Sequence, residues 1–391
     1  MVKEIKKALE ESHESELVSY LNYKKRKYSY FVIDNNRYTD SNNSDSSISD
    51  TEVKRKKKLN YLKGKGQKDW SPKTNLVLNG NNITEKLDIF RRKNILLAEK
   101  TNNINPIRIL SLSFIFPINI FNEKRCVTTY IKNIQEDMYE YVRGKSIFSK
   151  ASDGALQYCK NLIDASDVNG VIDHIKFEPL NTIDKIIKEL CKAFLKDKYK
   201  INKKSESTFI QKHITPFIKA IFSQLDYIEY STIDSVDRKE RKKPDLMLGI
   251  KDRKRCLNFF FIEAKRPNVK SSYQAEDDFV KLMKHLKNSI NYQVSLKVLS
   301  PMSLGILCEG FTCSLIKMTL TEDGIYLPTT LRQFCLIDEY HNLVNIPRAV
   351  ESFMFIFNEM LSLKTRYDNR SRSLLGPETN FVKPSFETVF Y

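Results

Sequence analysis

The chain is 391 residues long and 41% hydrophobic, enough for one large or two ordinary domains with a real core. Its 65 Lys and Arg against 48 Asp and Glu leave a net charge of +17, which favours polyanions, either nucleic acid or an anionic membrane surface. No run of 18 apolar residues occurs, which excludes a spanning helix, and Met1–Lys7 lacks the apolar stretch of a secretory signal. The expected setting is therefore intracellular, with no membrane partner; a soluble basic protein with no dedicated partner is the plainer alternative.

Residues 1–83 read as a largely disordered, basic segment rich in Ser and Asn. From Asp34 to Asp50 there is almost nothing to bury, and Lys54-Arg55-Lys56-Lys57-Lys58 follows directly. Such a run fits a nuclear-import signal or a nonspecific phosphate contact, and equally a solvated charge run. A nuclear location is the expectation drawn from it, with Lys24-Lys25-Arg26-Lys27 as a weaker second candidate.

Residues 84–200 read as helical, either a domain or an extension of the core. Leu87, Phe90 and Ile95 sit among charges, and further helices are expected over Tyr130–Val142 and Ile183–Leu195. The most apolar stretch, Ile104–Phe121, is interrupted by Asn105, Pro106, Arg108, Pro117 and Asn119. Asp173 and His174 are adjacent but have no spaced partner for a metal. Seven cysteines are scattered without a CxxC pair, so buried reduced thiols are expected rather than zinc or disulfides.

Residues 201–363 carry the order helix, three strands, helix, further strands. Ser205 is a natural cap that leaves Glu206 in the first turn of an amphipathic run with Phe209, Ile210, Phe217, Ile218 and Phe222, kinked at Pro216. Strands are expected over Leu225–Thr232, Asp245–Ile250 and Leu257–Lys265. A helix follows over Tyr273–Ile290, then strands over Leu304–Leu307 and Phe311–Leu320. Weaker strand signals lie at Gly324–Tyr326 and Phe334–Ile337, and a closing helix covers Leu343–Leu363. Residues 364–391 read as a disordered polar tail.

Two of these strands carry acids. Glu263 and Lys265 are two apart and so share a face, and a hairpin about Lys254 puts Asp245 opposite Glu263, with Cα atoms about 5 Å apart. Two carboxylates and a lysine on one face can hold a divalent cation and position a water for attack on a phosphodiester. An acid and a lysine on a strand also fit a structural ion pair. However, Phe259-Phe260-Phe261-Ile262 is apolar on both faces, and ions on a strand buried on both sides need partners.

Pro244-Asp245 and Glu263-Ala264-Lys265, on two strands after a helix with an acid, resemble the PD-(D/E)XK nuclease superfamily over roughly residues 203–345. Within it, the chain looks especially like the expanded fungal families. The resemblance implies an α+β or α/β restriction-endonuclease-like core, a central mixed sheet flanked by helices, with an N-terminal helical region. It also implies Mg²⁺ or Mn²⁺ on Asp245, Glu263 and the Ala264 carbonyl, with Glu206 supporting the metal directly or through water. Lys265 would orient the nucleophilic water or stabilise the charge building on phosphorus. The implied activity is hydrolysis of nucleic acid, DNA ahead of RNA; the alternative is a catalytically degenerate nuclease fold used as a nucleic-acid-binding or protein-interaction module.

Arg238, Lys239, Arg241, Lys242 and Lys243 crowd in front of Asp245 and fit a phosphate clamp or a solvated loop; Arg266 follows the motif and fits the same clamp. Lys281 and Lys284 sit on a more polar helix face, suited to a backbone phosphate. His213 lies two turns after Glu206, where a core-edge residue is the plainer reading. Gln274 matches a position some related nucleases use, but the tyrosine expected four later is Asp278.

Overall fold

The computed structural model describes residues 74–100, 104–131, 133–143, 146–165, 175–196, 206–232, 244–252, 255–265, 267, 278–370 and 382–383. All of them belong to one compact unit, Lys57–Tyr391. The basic runs at 24–27 and 54–58, Asp173, His174, Ser205, Arg238–Lys243, Arg266 and Gln274 lie outside the described residues.

A two-stranded hairpin comes first, β1 (Val77–Leu78) and β2 (Asn81–Asn82), turning through Asn79 and Gly80, both at positive φ. Then follow α1 (Ile83–Lys100), α2 (Pro106–Ser111), α3 (Gln135–Arg143), α4 (Asp153–Ala165) and α5 (Thr182–Lys196). Asn105 caps α2, accepting from the Arg108 N–H, and Pro106 occupies its first turn, where a missing N–H costs nothing. The helix expected from Glu206 breaks at Ile214 into α6 (Glu206–His213) and α7 (Thr215–Phe222), with Pro216 in the first turn of α7.

The rest is β3 (Ile228–Thr232), β4 (Leu246–Asp252), β5 (Arg255–Lys265), α8 (Asp278–Ser295), β6 (Met302–Glu309), β7 (Thr312–Leu320), β8 (Tyr326–Cys335) and α9 (Ile346–Asp368). The six strands form one mixed α/β sheet in chain order, antiparallel throughout except for β5 and β6, which are parallel and joined by the α8 crossover. The two weak signals at 324–326 and 334–337 turn out to be ends of a single strand. Pro328 and a polar middle hide β8 in the sequence, and an edge strand tolerates both. The β8 edge is covered by 114–118, whose backbone pairs with Tyr326 and Thr329. That contact explains the apolar stretch within 104–121: Phe114, Ile115, Phe116 and Ile118 are all buried.

The helices of 84–200 are divided between the two faces of the sheet. One core joins α4, α5, α6, α7 and α9 to Leu246, Leu248, Phe260, Ile262 and Leu304; the other joins α1, α2, α3 and α8 to Phe261, Leu307, Ile316 and Tyr326. Among the described residues no helix is long and apolar enough to cross a membrane.

A single irregularity in the β4–β5 pair sets the register on which the rest depends. Near the turn, Asp252 faces Arg255 and Gly249 faces Asn258; beyond the shift, Leu248 faces Phe260 and Leu246 faces Ile262. Phe259 is the extra residue of this bulge. Leu257 and Phe259 point into the first core, and so do Phe260, Ile262 and Ala264, while Phe261 points into the second. Without the bulge Asp245 would oppose Ile262, and Glu263 would point into the α9 core. Gly249 makes the close approach possible: a Cβ there would lie 2.2 Å from Cys256 Sγ and 2.6 Å from Asn258 Oδ1. Gly249→Ala is therefore expected to destabilise the chain by about 1–3 kcal/mol, with Cys256→Ala recovering part of the loss, as read by urea unfolding.

Candidate active site

Asp245 stands one residue before β4, and its N–H donates to the Ile262 carbonyl at 3.1 Å. Leu246 faces Ile262, so Asp245 faces Glu263, and both lie on the α8 side of the sheet with Phe261 and Met247. One carboxylate oxygen of half-buried Asp245 accepts the Ala264 N–H at 2.7 Å. Ile262 O is taken by Asp245 on the β4 side, and Lys265 O by the Gly310 N–H on the β6 side. Carbonyls alternate along a strand, so that of Ala264 is directed to the β4 side, beside Asp245.

Glu263 is 3% exposed, and among the described residues its Oε1 has no hydrogen-bond partner. His285 Nε2 lies 3.5 Å from that oxygen, and its ring stacks on Phe261. Lys265 Nζ lies 3.1 Å from one oxygen of Asp278, and Lys281 Nζ lies 3.0 Å from the other. Asp278, Lys281 and His285 are spaced three and four apart, one row of α8 beside its buried stripe of Leu282, Leu286 and Ile290. Glu206 opens α6 and is exposed.

The electrostatics tie these groups together. Burial, then the charge of Glu263, pushes Asp245 up to about 7; the Ala264 N–H opposes this, and Glu206 and Asp278 add to it. Burial pushes Glu263 up to about 8; Lys281 opposes this, while Asp278 and Glu206 reinforce it. Burial works against the charge of Lys281, but its bond to Asp278 and the charges of Asp278, Glu263 and Asp245 prevail and raise its pKa.

The structure thus brings Asp245, Glu263, the Ala264 carbonyl and Lys265 together, with Glu206 acting on both acids through its charge. Among the described residues no group of three or more acid, His or Cys side chains is spaced to hold a metal ion. The oxygen donors that meet here are the two carboxylates and the Ala264 carbonyl, with Glu206 exposed at the start of α6. Lys281 stands on the more polar row of α8 and bonds Asp278 at 3.0 Å, beside the acids. His213 is a core residue, 3% exposed and packed between Phe209 and Phe311, with its Nδ1–H donating to the Ile337 carbonyl at 2.9 Å. Sequence reasoning missed Asp278 and His285 as members of the site. Their three-and-four spacing with Lys281 was the available signal, but it gains meaning only once α8 is laid across β5.

Comparison with protein-family models, curated proteins and solved structures finds no match to this chain. The functional reading therefore rests on the residues and their arrangement.

Proposed function

We propose that the chain is a metal-dependent nuclease with a restriction-endonuclease-like core, hydrolysing phosphodiesters of nucleic acid, DNA ahead of RNA. The observation that carries the reading is the convergence of Asp245, Glu263 and Lys265 at the end of β4 and β5, with one carboxyl half-buried, the other buried, and a Glu263 oxygen that has no hydrogen-bond partner among the described residues. The order helix, three strands, helix, strand around that point supports it, as does the net charge of +17.

The residues fit Mg²⁺ or Mn²⁺. Both ions prefer oxygen donors, and Mg²⁺ in particular is held by one or two carboxylates while keeping several waters. Asp245, Glu263 and the Ala264 carbonyl would hold the ion. When bound, it supplies neutralising charge and an acidified water. The protein's own part is positional and electrostatic. The Ala264 N–H fixes the Asp245 carboxylate, the Phe261–His285 stack fills the floor beside Glu263, and the Lys265 ammonium stabilises negative charge developing on the phosphate oxygens. Lys281 supplies a second positive group, and the clamp Arg238–Lys243 and Arg266 would hold flanking phosphates. The basic run Lys54–Lys58 points to a nuclear site of action.

The test is cleavage of single- and double-stranded DNA and RNA by the full chain in Mg²⁺, Mn²⁺ and chelator. Lys265→Ala is expected to lower cutting about 10²–10³-fold while keeping the rise in melting temperature on adding metal, since lysine offers a cation no ligand. Tight binding without cutting under any metal would replace the nuclease by a degenerate binding module. Neither binding nor cutting would leave a protein-interaction module.

A further inference from the structure

We propose that Lys265 and Lys281, bridged by Asp278, form a two-ammonium cradle for one phosphate group of a nucleic-acid strand, with Asp278 as the positioning residue. The inference rests on the nucleic-acid reading of this site. It adds that the phosphate taken by Lys281 is the same one that Lys265 meets, not a flanking one.

Each ammonium carries three donors, and among the described residues each of these two makes a single hydrogen bond, to its own oxygen of Asp278. Among these three groups, two positive charges on one carboxylate leave an excess of one; Asp245 and Glu263, whose charges also reach Lys281, are the acids that the divalent cation would neutralise. That excess and the spare N–H groups match a phosphodiester, with one negative charge on two non-bridging oxygens. A lysine by itself is a compact charge on a flexible stem; a shared carboxylate removes much of that freedom from both heads at once. Asp278 stands in the first turn of α8, where negative charge is favoured, and its side chain is 12% exposed against 26% and 29% for the lysines. The anchor is thus buried while the two heads reach solvent. A purely structural ion pair needs one lysine and gives no reason for the second. Beside it, the charge of Lys281 acts on buried Glu263, whose Oε1 has no hydrogen-bond partner among the described residues. The cradle therefore borders the site proposed for the reaction.

The experiment is acetylation of lysines in the full chain, read by peptide mass spectrometry with and without a short DNA duplex in Ca²⁺, alongside cleavage in Mg²⁺. Lys364, on α9 across the sheet, serves as reference. The duplex is expected to slow acetylation of Lys265 and Lys281 together, about tenfold. Asp278→Asn is expected to reduce both protections together, and Asp278→Glu to restore them; melting curves check that each variant folds. Lys281→Met is expected to lower the single-turnover rate about 10²-fold, with a smaller change in duplex affinity. Protection of neither lysine, or of Lys265 without Lys281, overturns the cradle whether or not the chain cuts. Unchanged protection in Asp278→Asn overturns the positioning role. A chain that cuts nothing yet shows both lysines protected overturns the nuclease reading and leaves the cradle standing.

Discussion

Glu263→Gln and Asp245→Asn are each expected to lower metal-dependent cleavage about 10²–10³-fold or more, without loss of fold. Each change is nearly isosteric, so the packing of Phe261, Met247 and α8 around the site is kept. What is lost is the negative charge that a divalent cation needs. Asn at 245 keeps an oxygen for the Ala264 N–H, which now bonds Asp245 at 2.7 Å. The metal-free variants should also melt higher than the parent at pH 8, because a neutral amide removes a buried charge that the fold tolerates poorly. Single-turnover cleavage, with melting curves in chelator, measures both effects. Cutting at parental rates by Glu263→Gln would remove Glu263 from the mechanism, and with it the proposed function.

The second large effect is on stability against pH. The two carboxyls titrate at ordinary values of 3.8 and 4.5 when the chain is unfolded, but at about 7 and about 8 in the folded protein. Across that interval the folded state holds protons that the unfolded chain has released. Their contribution to stability is complete at acid pH and is lost as pH rises through about 7 and about 8. The metal-free chain should therefore weaken from pH 5 to pH 8, by an amount on the order of a few kcal/mol, less than the sum of the two shifts because their mutual repulsion is shared. Mg²⁺ should stabilise more strongly at pH 8 than at pH 5. Urea unfolding in chelator across this range gives the measurement. A flat profile, or one that rises with pH and keeps its shape in Glu263→Gln, would contradict the buried pair.

Much of the site was legible because strand periodicity is simple. Glu263 and Lys265 share a face by their spacing alone, and the apolar run before them marks a strand buried on both sides. The opposition of Asp245 and Glu263 agrees with a hairpin centred on Lys254, but for a reason hidden from the sequence: the pairing next to the turn is offset by one, and the bulge at Phe259 restores it. A bulge is a local compromise between ladder bonding and packing on two cores, and Phe259 and Phe260 look alike as residues.

Only the tertiary structure brought in the α8 row. The sequence marked the buried stripe of that helix, yet whether Asp278, Lys281 and His285 face water or the acids depends on how α8 lies across β5 and β6, and contacts between distant segments leave no trace in local pattern. The same holds for the helices of 84–200, whose amphipathic faces announce that they bury something but not which side of the sheet receives them. The sequence by itself thus determined the strand that carries the acids and the lysine, through periodicity. Long-range packing decided the register, the second lysine and the shared carboxylate, because each depends on which surfaces meet rather than on which residues adjoin.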